Sequence, residues 1–405
     1  MANSIIEQHP KEDRMPVGQP VIFSVSNTGI VADETKVKFV AYVHISSAEE
    51  VNVSTTTNRI GTFKTTPNNA GVGMFDFSSI IENYVKADNL ARAGSTYKTT
   101  LTVSPTNHPI HLIDKFSGNN NAMRYFGVQF KVEHLGADPT EPNVIGIPSG
   151  TTANSDSYKI FNGYLKHTDL LELDGVNFGF DIAPFWLTSP TRKFLTNAPL
   201  IQYANADDYG TVTILNRNIG FRISFDYYDQ DGASLGTDNI TKTELNGAYD
   251  AYTADIGFEI LYFGCYPANL KNYNTTVKNW LDAGQISYYT FKVEDLSGTD
   301  LSDTYRINVN CPTLKGYEPI RLTWLNQWGG WDYYTFTMKS IRKLSTKGST
   351  YNQLEGTWNE SSYRLNGYKG GKKAFRVNAT ETITMNTDFV NESESEWFED
   401  LINSP

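Results

Sequence analysis

Residues 221–233 read Phe-Arg-Ile-Ser-Phe-Asp-Tyr-Tyr-Asp-Gln-Asp-Gly-Ala, and this stretch indicates the fold class. Its first, third, fifth and seventh residues are large and apolar, which is the period of two expected of a half-buried strand. The strand leads into an Asp-Gly pair at 231–232, where glycine supplies the positive φ that a tight hairpin turn needs. The stretch therefore predicts a strand that ends in a hairpin.

The same alternation recurs along the chain, while helical patterns are few and short. Further strands are predicted at 37–46, 126–132, 257–263, 287–293, 305–309, 321–324 and 333–339. Helices are predicted at 79–87, 276–283 and 392–402. Because parallel sheets need long helical crossovers, we predict an all-β fold with two or more antiparallel β-sandwich domains and a few short helices.

Composition shifts divide the chain into four parts. Residues 1–20 are predicted to be an N-terminal arm, and residues 21–183 a first sandwich whose Pro-, Gly- and Ser-rich stretch at 136–157 is a long surface loop. Residues 184–344 are predicted to form a second sandwich, and residues 345–405 a C-terminal segment that ends in a short amphipathic helix. A shorter polar stretch, residues 344–351, is interpreted as an exposed connector.

The overall charge narrows the classes of partner. The 405 residues include 34 Lys and Arg against 45 Asp and Glu, a net charge of −11, and we find no Lys/Arg stripe that would neutralise many phosphates. Residues 1–20 are polar and do not resemble a signal peptide, and no apolar run approaches the roughly 20 residues that span a bilayer. We therefore expect a chain made in a cytoplasm, without membrane insertion or nucleic-acid sequence readout.

Candidate metal and catalytic groups are weak in this sequence. His108, His111 and Asp114 could converge on a metal, but their spacing is more typical of an exposed loop. The segment 229–232 resembles part of a calcium loop and is better explained as a hairpin turn. The two cysteines are interpreted as buried thiols, with a disulfide or metal pair as the alternative. These cysteines are Cys265 and Cys311.

A carboxylate pair of the glycosidase kind is an open alternative, because such pairs are close in space and need not be close in sequence. Its candidates are Asp207, Asp208, Glu172, Asp174 and Glu259. Since no catalytic motif accompanies them, we expect a protein that is not an enzyme and that needs no cofactor or metal.

The most distinctive segment, residues 321–336, is rich in Trp and Tyr. It is predicted to be a strand, a turn formed by Asn326 and the Gly329-Gly330 pair, and a second strand whose start Asp332 holds. Exposed aromatic rings can stack on sugars, but the strand alternation around Trp324 favours packing in a core or a subunit interface.

This segment resembles a hairpin, Trp-Leu-Asn-x-x-Gly-Gly-x-Asp-x-x-x-Phe, of virion proteins in tailed bacteriophages, of the kind found in marine and Bacteroidetes-like phages. Three other stretches resemble motifs of the same group, in the same order. They are Pro67-Asn68 followed by Gly71-x-Gly73-x-Phe75-Asp76-x-Ser78-x-Ile80; residues 193–199 followed by 208–211; and residues 265–270. The likeness covers most of residues 21–402.

The resemblance implies a structural protein of the virion tail, baseplate or neck, located in the virion and assembled as a ring of identical copies. Its partners would be further copies of itself and other tail proteins. The N-terminal arm and the loop at 136–157 are candidates for reaching a neighbouring copy. The candidate structural or interface residues are Trp324, Asn326, Trp328, Gly329, Gly330, Trp331, Asp332, Phe336, Trp397 and Phe398. Alternatives are a tail protein that binds a receptor or a host surface glycan, and a polysaccharide depolymerase.

Overall fold

The structure is a computed structural model of the chain. It describes residues 4–11, 13–46, 50–86, 110–113, 116–118, 122–166, 172–173, 176–177, 182–215, 220–241, 260–310, 317–357, 360–365 and 371–404. Strands predominate and helices are short, so the predicted all-β class is confirmed. No helix in these ranges is both long and apolar enough to cross a membrane.

The strands of the first half are β1 (Ile5–Gln8), β2 (Arg14–Pro16), β3 (Ile22–Ser26), β4 (Lys38–Ser46), β5 (Arg59–Thr65), β6 (Val72–Asp76), β7 (Phe116–Gly118), β8 (Met123–Leu135), β9 (Ile145–Gly146), β10 (Ala153–Asn154), β11 (Tyr158–Phe161), β12 (Glu172–Leu173) and β13 (Val176–Asn177). Those of the second half are β14 (Ile201–Asn205), β15 (Thr211–Leu215), β16 (Phe221–Tyr228), β17 (Ser234–Thr241), β18 (Ile260–Gly264), β19 (Tyr288–Asp295), β20 (Tyr305–Asn310), β21 (Ile320–Leu325), β22 (Trp331–Phe336), β23 (Ile341–Gln353) and β24 (Gly371–Thr384). The α-helices are α1 (Thr28–Asp33), α2 (Ser78–Ile81), α3 (Pro267–Tyr273), α4 (Thr275–Asp282) and α5 (Glu392–Ile402), and 3-10 turns lie at Glu82–Tyr84, Ile110–Leu112 and Ala183–Phe185.

Two sheets enclose the first hydrophobic core. One has the order β1-β3-β6, and the other has the order β2-β11-β8-β4-β5, with β9 and β10 paired to β8. The alternating residues of β4 and β8 point into this core together with Phe23, Phe75 and Phe77. Sheet faces that bury alternate side chains against each other are the basis of a sandwich.

A second core lies between the sheets β14-β20-β19-β16-β17 and β15-β18-β7. The alternating residues of β16, Phe221, Ile223, Phe225 and Tyr227, are all buried here. The predicted turn is also confirmed, because Asp229 Oδ1 accepts the N–H groups of Asp231 and Ala233, and Gly232 has a φ of 78°. Strand β7 precedes β8 in the chain but pairs with β18, so the second sandwich includes a strand from the first half.

Several predicted details are wrong. The pairs β2–β11 and β14–β20 are parallel, which is possible because long connections precede the second strand of each pair. Helix α2 ends early because Val85 becomes extended and enters the core.

Three segments that were predicted without strands contain them. Residues 344–351 are not a connector but part of β23. The predicted loop at 136–157 contains β9 and β10, and the described part of the predicted arm contains β1 and β2, paired with β3 and β11.

The chain divides into two compact units. Unit 1 comprises Met1–Cys311, Thr323–Tyr334 and Asn391–Pro405, and contains both sandwiches. Unit 2 comprises Pro312–Leu322 and Thr335–Val390, and its main feature is the antiparallel pair β23–β24. The predicted division into four parts stays a prediction. We call the pair β21–β22 with its turn the aromatic hairpin, and the pair β23–β24 the basic ribbon.

Candidate functional site

The side chain of Asn326 holds the turn of the aromatic hairpin. Its Oδ1 accepts hydrogen bonds from the backbone N–H groups of Trp328 (3.0 Å) and Gly330 (2.9 Å). Its Nδ2 donates to the Leu195 carbonyl at 2.9 Å and to Asp332 Oδ1 at 3.1 Å. An aspartate here would accept as well but could not donate, so this buried position requires an amide.

The two glycines of the turn allow close approach of neighbouring backbone. Gly329 has a φ of 75°, and a Cβ at this position would lie 1.9 Å from the carbonyl oxygen of Asn162. A Cβ on Gly330 would lie 2.6 Å from Thr213 Oγ1 and 3.0 Å from the Leu195 carbonyl oxygen. The turn is therefore pressed against segments that come from both sandwiches.

The Asp332 carboxylate is buried beneath the turn. Its Oδ1 accepts a hydrogen bond from Thr196 Oγ1 at 2.7 Å, and its Oδ2 accepts one from the indole Nε1 of Trp397 at 2.7 Å. Burial raises the pKa of this carboxyl from 3.8 to about 7, although its hydrogen bonds oppose the shift, and the nearby charge of Asp400 adds to it. Only 4% of Asp332 is exposed.

Helix α5 carries the second buried carboxylate, Asp400. Its oxygens accept hydrogen bonds from Asn197 Nδ2 at 2.9 Å and Tyr164 Oη at 3.2 Å, and Lys166 Nζ lies 2.9 Å away. Asp400 is completely buried, so the Lys166 ammonium supplies the countercharge that a buried carboxylate requires. Because Lys166 follows the first sandwich in the chain, this ion pair attaches the C-terminal helix to it.

Local sequence explains how α5 presents these side chains. Asn391 and Glu394 form a capping box, in which each side chain accepts the backbone N–H of the other. Trp397 and Asp400 then lie three residues apart on the inner face of the helix. The Trp397 ring packs 5.1 Å from that of Trp324, and the Phe398 ring lies 4.8 Å from that of Tyr334.

Asn197 joins the hairpin to this helix. Its Nδ2 donates to Gln327 Oε1 at 3.0 Å as well as to Asp400, and its Oδ1 accepts the indole N–H of Trp328 at 3.1 Å. We call the linked set of polar groups the polar junction; its members are Lys166, Thr196, Asn197, Asn326, Asp332, Trp397 and Asp400. The polar junction lies within unit 1.

A second set of hydrogen bonds joins the remaining motifs of the second half to the hairpin. Asn269 Oδ1 accepts the N–H of Gly210 at 2.8 Å, while its Nδ2 donates to the Ile113 carbonyl at 2.6 Å. Tyr333 Oη lies 3.0 Å from Thr211 Oγ1 and 2.6 Å from His111 Nδ1. Segments 193–199, 208–211, 265–270 and 321–336, which are distant in sequence, therefore meet in one region.

The predicted site residues fall into two groups. Trp324, Trp328, Phe336 and Trp397 are buried, whereas Trp331 and Phe398 are partly buried. Asn326, Gly329, Gly330 and Asp332 form the turn and its support. The rings of Trp324 and Trp328 are covered within the chain, so they offer no open face for a sugar. A role of this set in a subunit interface stays a prediction.

Sequence reasoning did not select Lys166, Asn197 or Asp400 as site residues. Asn197 was part of a quoted motif, so its position in that motif was an available signal. Asp400 was available as an acidic residue of the predicted helix that lies next to Leu401 and three residues after Trp397. Lys166 carried no signal, because its partner is more than 200 residues away in the chain.

The described residues bring together neither the predicted metal ligands nor the predicted carboxylate pair. His108, Asp114, Asp174, Glu259 and Cys311 lie outside the described residues, and no side-chain geometry is described for Glu172. Asp207 is exposed and pairs with Lys271, while Asp208 Oδ2 accepts the N–H of Asn205 in a turn. Within the ranges given above, no group of three or more His, Cys, Asp or Glu side chains could hold a metal ion. Cys265 is a buried thiol, as predicted.

The polar junction can fix architecture, but its carboxylates cannot act as an open acid or base. A general acid or base must reach a proton of the substrate directly or through one water. At Asp332 and Asp400 the oxygens face indole, hydroxyl, amide and ammonium donors of the chain itself, and both residues are buried.

No known family model matches the chain, and a search of curated proteins found no significant match.

Proposed function

We propose that this protein is a structural component of a bacteriophage virion tail, a ring-forming adaptor or baseplate protein that acts through contacts between copies. The proposal takes its class from the resemblance of four ordered motifs to tail proteins. Its physical support is that the side chains of these motifs bond to and pack against other parts of the same subunit.

The observation that carries the proposal is the convergence of two of the other three motifs on the aromatic hairpin. Thr196 and Asn197 come from one motif, Asn269 from another, and Asn326 and Asp332 from the hairpin. Their polar atoms are bonded to the chain itself and hold the two sandwiches and helix α5 together. Residues whose chemistry is used in this way specify a rigid subunit, which is what a repeated building block requires.

The fourth motif has a comparable role in the first sandwich. A Cβ on Gly73 would lie 2.4 Å from the ring of Phe39, and Asp76 Oδ1 accepts the N–H groups of Val21 and Ser78. Phe75 lies in the core between the two sheets. This motif thus sets the packing of one sheet on the other.

The two units of the chain carry opposite net charges, which favours the assembly of identical copies. Unit 2 contains eleven Lys and Arg against five Asp and Glu, a net charge of +6, whereas unit 1 contains 23 against 40, a net charge of −17. Two different surfaces of opposite sign favour head-to-tail contacts, which close into a ring when the rotation per copy permits.

The test is electron microscopy and mass photometry of the purified full chain, together with mass spectrometry of the phage particles produced from the genome that encodes it. We expect rings of a single size from the chain and the protein itself among the virion components. A chain absent from purified particles would refute the proposal.

A further inference from the structure

The basic ribbon is the most unusual surface of the described chain. Strands β23 and β24 pair over about 13 residues each, a length of about 40 Å, and nearly every side chain along both strands is exposed. A two-stranded hairpin without further packing is only marginally stable in water. A long exposed ribbon is therefore expected to gain stability from a partner.

The register gives the two faces of the ribbon different chemistry. Residues directly opposite each other in an antiparallel pair share a face. Lys343 and Lys347 on β23 therefore lie on the same face as Arg376 and Lys373 on β24, which are opposite Ser349 and Tyr351. The strand pairing thus creates a short basic stripe, contrary to the expectation from sequence, because its members lie on two strands that a long connection separates.

No acidic partner neutralises this stripe within the described residues. Arg342, on the other face, is bound by Glu318 and Glu381, but no ion pair is formed by the three lysines Lys343, Lys347 and Lys373. Four positive charges on one narrow face repel each other unless a negative surface approaches. The ribbon is thus complementary to an acidic surface.

The opposite face carries the Arg342–Glu381 ion pair and, beside it, a set of largely exposed apolar side chains. Leu344 is 66% exposed and Val377 is 61% exposed, and they share this face with Ala379 and Ile383. Phe375, at the bulge between the two regular parts of the ribbon, is also exposed. Binding of a phosphate backbone would use only the basic face, whereas a protein surface can cover both the charged and the apolar side chains.

We propose that the basic ribbon docks on the acidic unit 1 of a second copy of this chain and forms the contact between neighbouring subunits. The inference rests on the proposed ring-forming function. The occupant follows from charge complementarity: the ribbon is basic, and unit 1 carries −17. Because the ribbon and unit 1 are different surfaces, the contact is heterologous and repeats from copy to copy.

The test compares two charge-reversed variants of the full chain by mass photometry and sedimentation. The first carries Lys343→Glu, Lys347→Glu, Lys373→Glu and Arg376→Glu. The matched control carries Lys36→Glu, Lys38→Glu, Lys86→Glu and Lys193→Glu, which change the net charge equally at exposed positions of unit 1. We expect assembly of the ribbon variant to weaken by about a hundredfold and assembly of the control to stay within about threefold of the wild type.

Three further measurements test the charged face, the apolar side chains and the identity of the partner. Raising the salt concentration from about 0.1 M to about 1 M shortens the Debye length from about 10 Å to about 3 Å and should dissociate wild-type assemblies. The double variant Leu344→Ser/Val377→Ser should weaken assembly, whereas the comparably exposed control Met74→Ser/Leu296→Ser should not. In mixtures of isotope-labelled and unlabelled protein, cross-links from Lys343 and Lys347 should reach Asp and Glu of the other copy.

Four results would overturn the inference. One is a ribbon variant that assembles like the wild type, and another is a ribbon variant and control that lose assembly equally. The third is a ribbon variant that keeps its assembly but loses binding to duplex DNA, which would assign the basic face to nucleic acid. A wild-type chain that stays monomeric at every salt concentration would also contradict it. The first three outcomes leave the proposed function standing, because the composition of the virion particles tests it independently, whereas a monomeric wild-type chain would also contradict ring formation.

Discussion

Two hairpins follow one another near the end of the chain, and they differ in almost every physical respect except secondary structure. In the aromatic hairpin, the turn residues Asn326, Gly329 and Gly330 are buried, and a single amide side chain makes four hydrogen bonds. In the basic ribbon, side chains on both faces are exposed. Comparison of the two shows that strand pairing alone does not define a role; the groups that cover the strands do.

The charged side chains of the polar junction and of the basic ribbon differ in burial and in pairing. The carboxylates of the polar junction are buried and held by donors from distant segments, so their removal disturbs the fold. The lysines of the basic ribbon are exposed and unpaired in the described chain, so their removal leaves the folded subunit intact and affects only what binds to it. The comparison therefore predicts opposite responses to substitution.

The largest expected difference comes from one glycine in each hairpin. Gly329→Ala should destabilise the protein by more than about 4 kcal/mol, because it adds a Cβ 1.9 Å from the Asn162 oxygen at a φ of 75°. Gly371→Ala, at a φ of 88° with no atom within 4 Å, should cost only about 1–2 kcal/mol. Chemical denaturation of both variants measures the difference, and equal losses would contradict our account of the turn.

The next effect is a pH dependence that arises at Asp332. Burial raises its pKa to about 7, so between about pH 4 and pH 7 the folded state binds a proton that the unfolded state has released. The free energy of unfolding should therefore fall as the pH rises through this window, by up to about 4 kcal/mol in total, and then level off.

The Asp332→Asn variant isolates this contribution, because it removes the titrating group and changes the size of the side chain little. The stability of the wild type minus that of the variant should decrease from pH 4 to pH 7 in urea titrations. A difference that stays constant or increases with pH would show that the Asp332 carboxyl is not held with a raised pKa.

A smaller effect is expected from the indole of helix α5. Trp397→Phe retains most of the ring but removes the N–H that donates to Asp332 at 2.7 Å, and should cost about 1.5–3 kcal/mol. Tyr351→Phe in the basic ribbon removes a hydroxyl from an exposed ring and should change stability by less than about 0.5 kcal/mol. Thermal unfolding of the two variants provides the comparison.

The smallest effect on the isolated subunit should come from the exposed apolar side chains of the ribbon. Leu344→Ala removes an exposed side chain and should alter the free energy of unfolding of the monomer by less than about 0.5 kcal/mol. Leu270→Ala removes a fully buried one from the second core and should cost about 2–5 kcal/mol. If Leu344→Ala were as costly in the monomer, the ribbon would already be covered by its own chain.

Local sequence predicted the parts of the fold whose side chains alternate or form caps. The strand at Phe221–Tyr228, the turn after it and helix α5 all follow from period, glycine and capping residues within a dozen positions. The basic ribbon escaped detection because β23 is a polar strand with few apolar residues, and its partner lies beyond a long connection. Its strand character comes from pairing, which a local pattern does not contain.

The candidate site was predictable only in part for a similar reason. Asn326, Gly329, Gly330 and Asp332 are close in sequence, and their turn chemistry identified them. Asn197 and Asp400 complete the polar junction, yet they lie about 200 residues apart, and their hydrogen bond exists only after the sandwiches have formed. Long-range polar contacts of this kind depend on tertiary structure and have no signature in a single stretch of sequence.

The most direct test of the account is a cryo-electron microscopy reconstruction of the native assembly that contains this protein. We expect a closed ring in which the basic ribbon of each copy lies on unit 1 of its neighbour, with Lys343, Lys347, Lys373 and Arg376 within about 4 Å of Asp or Glu side chains. A reconstruction in which the ribbon extends into solvent, or contacts only its own chain or a nucleic acid, would contradict the account.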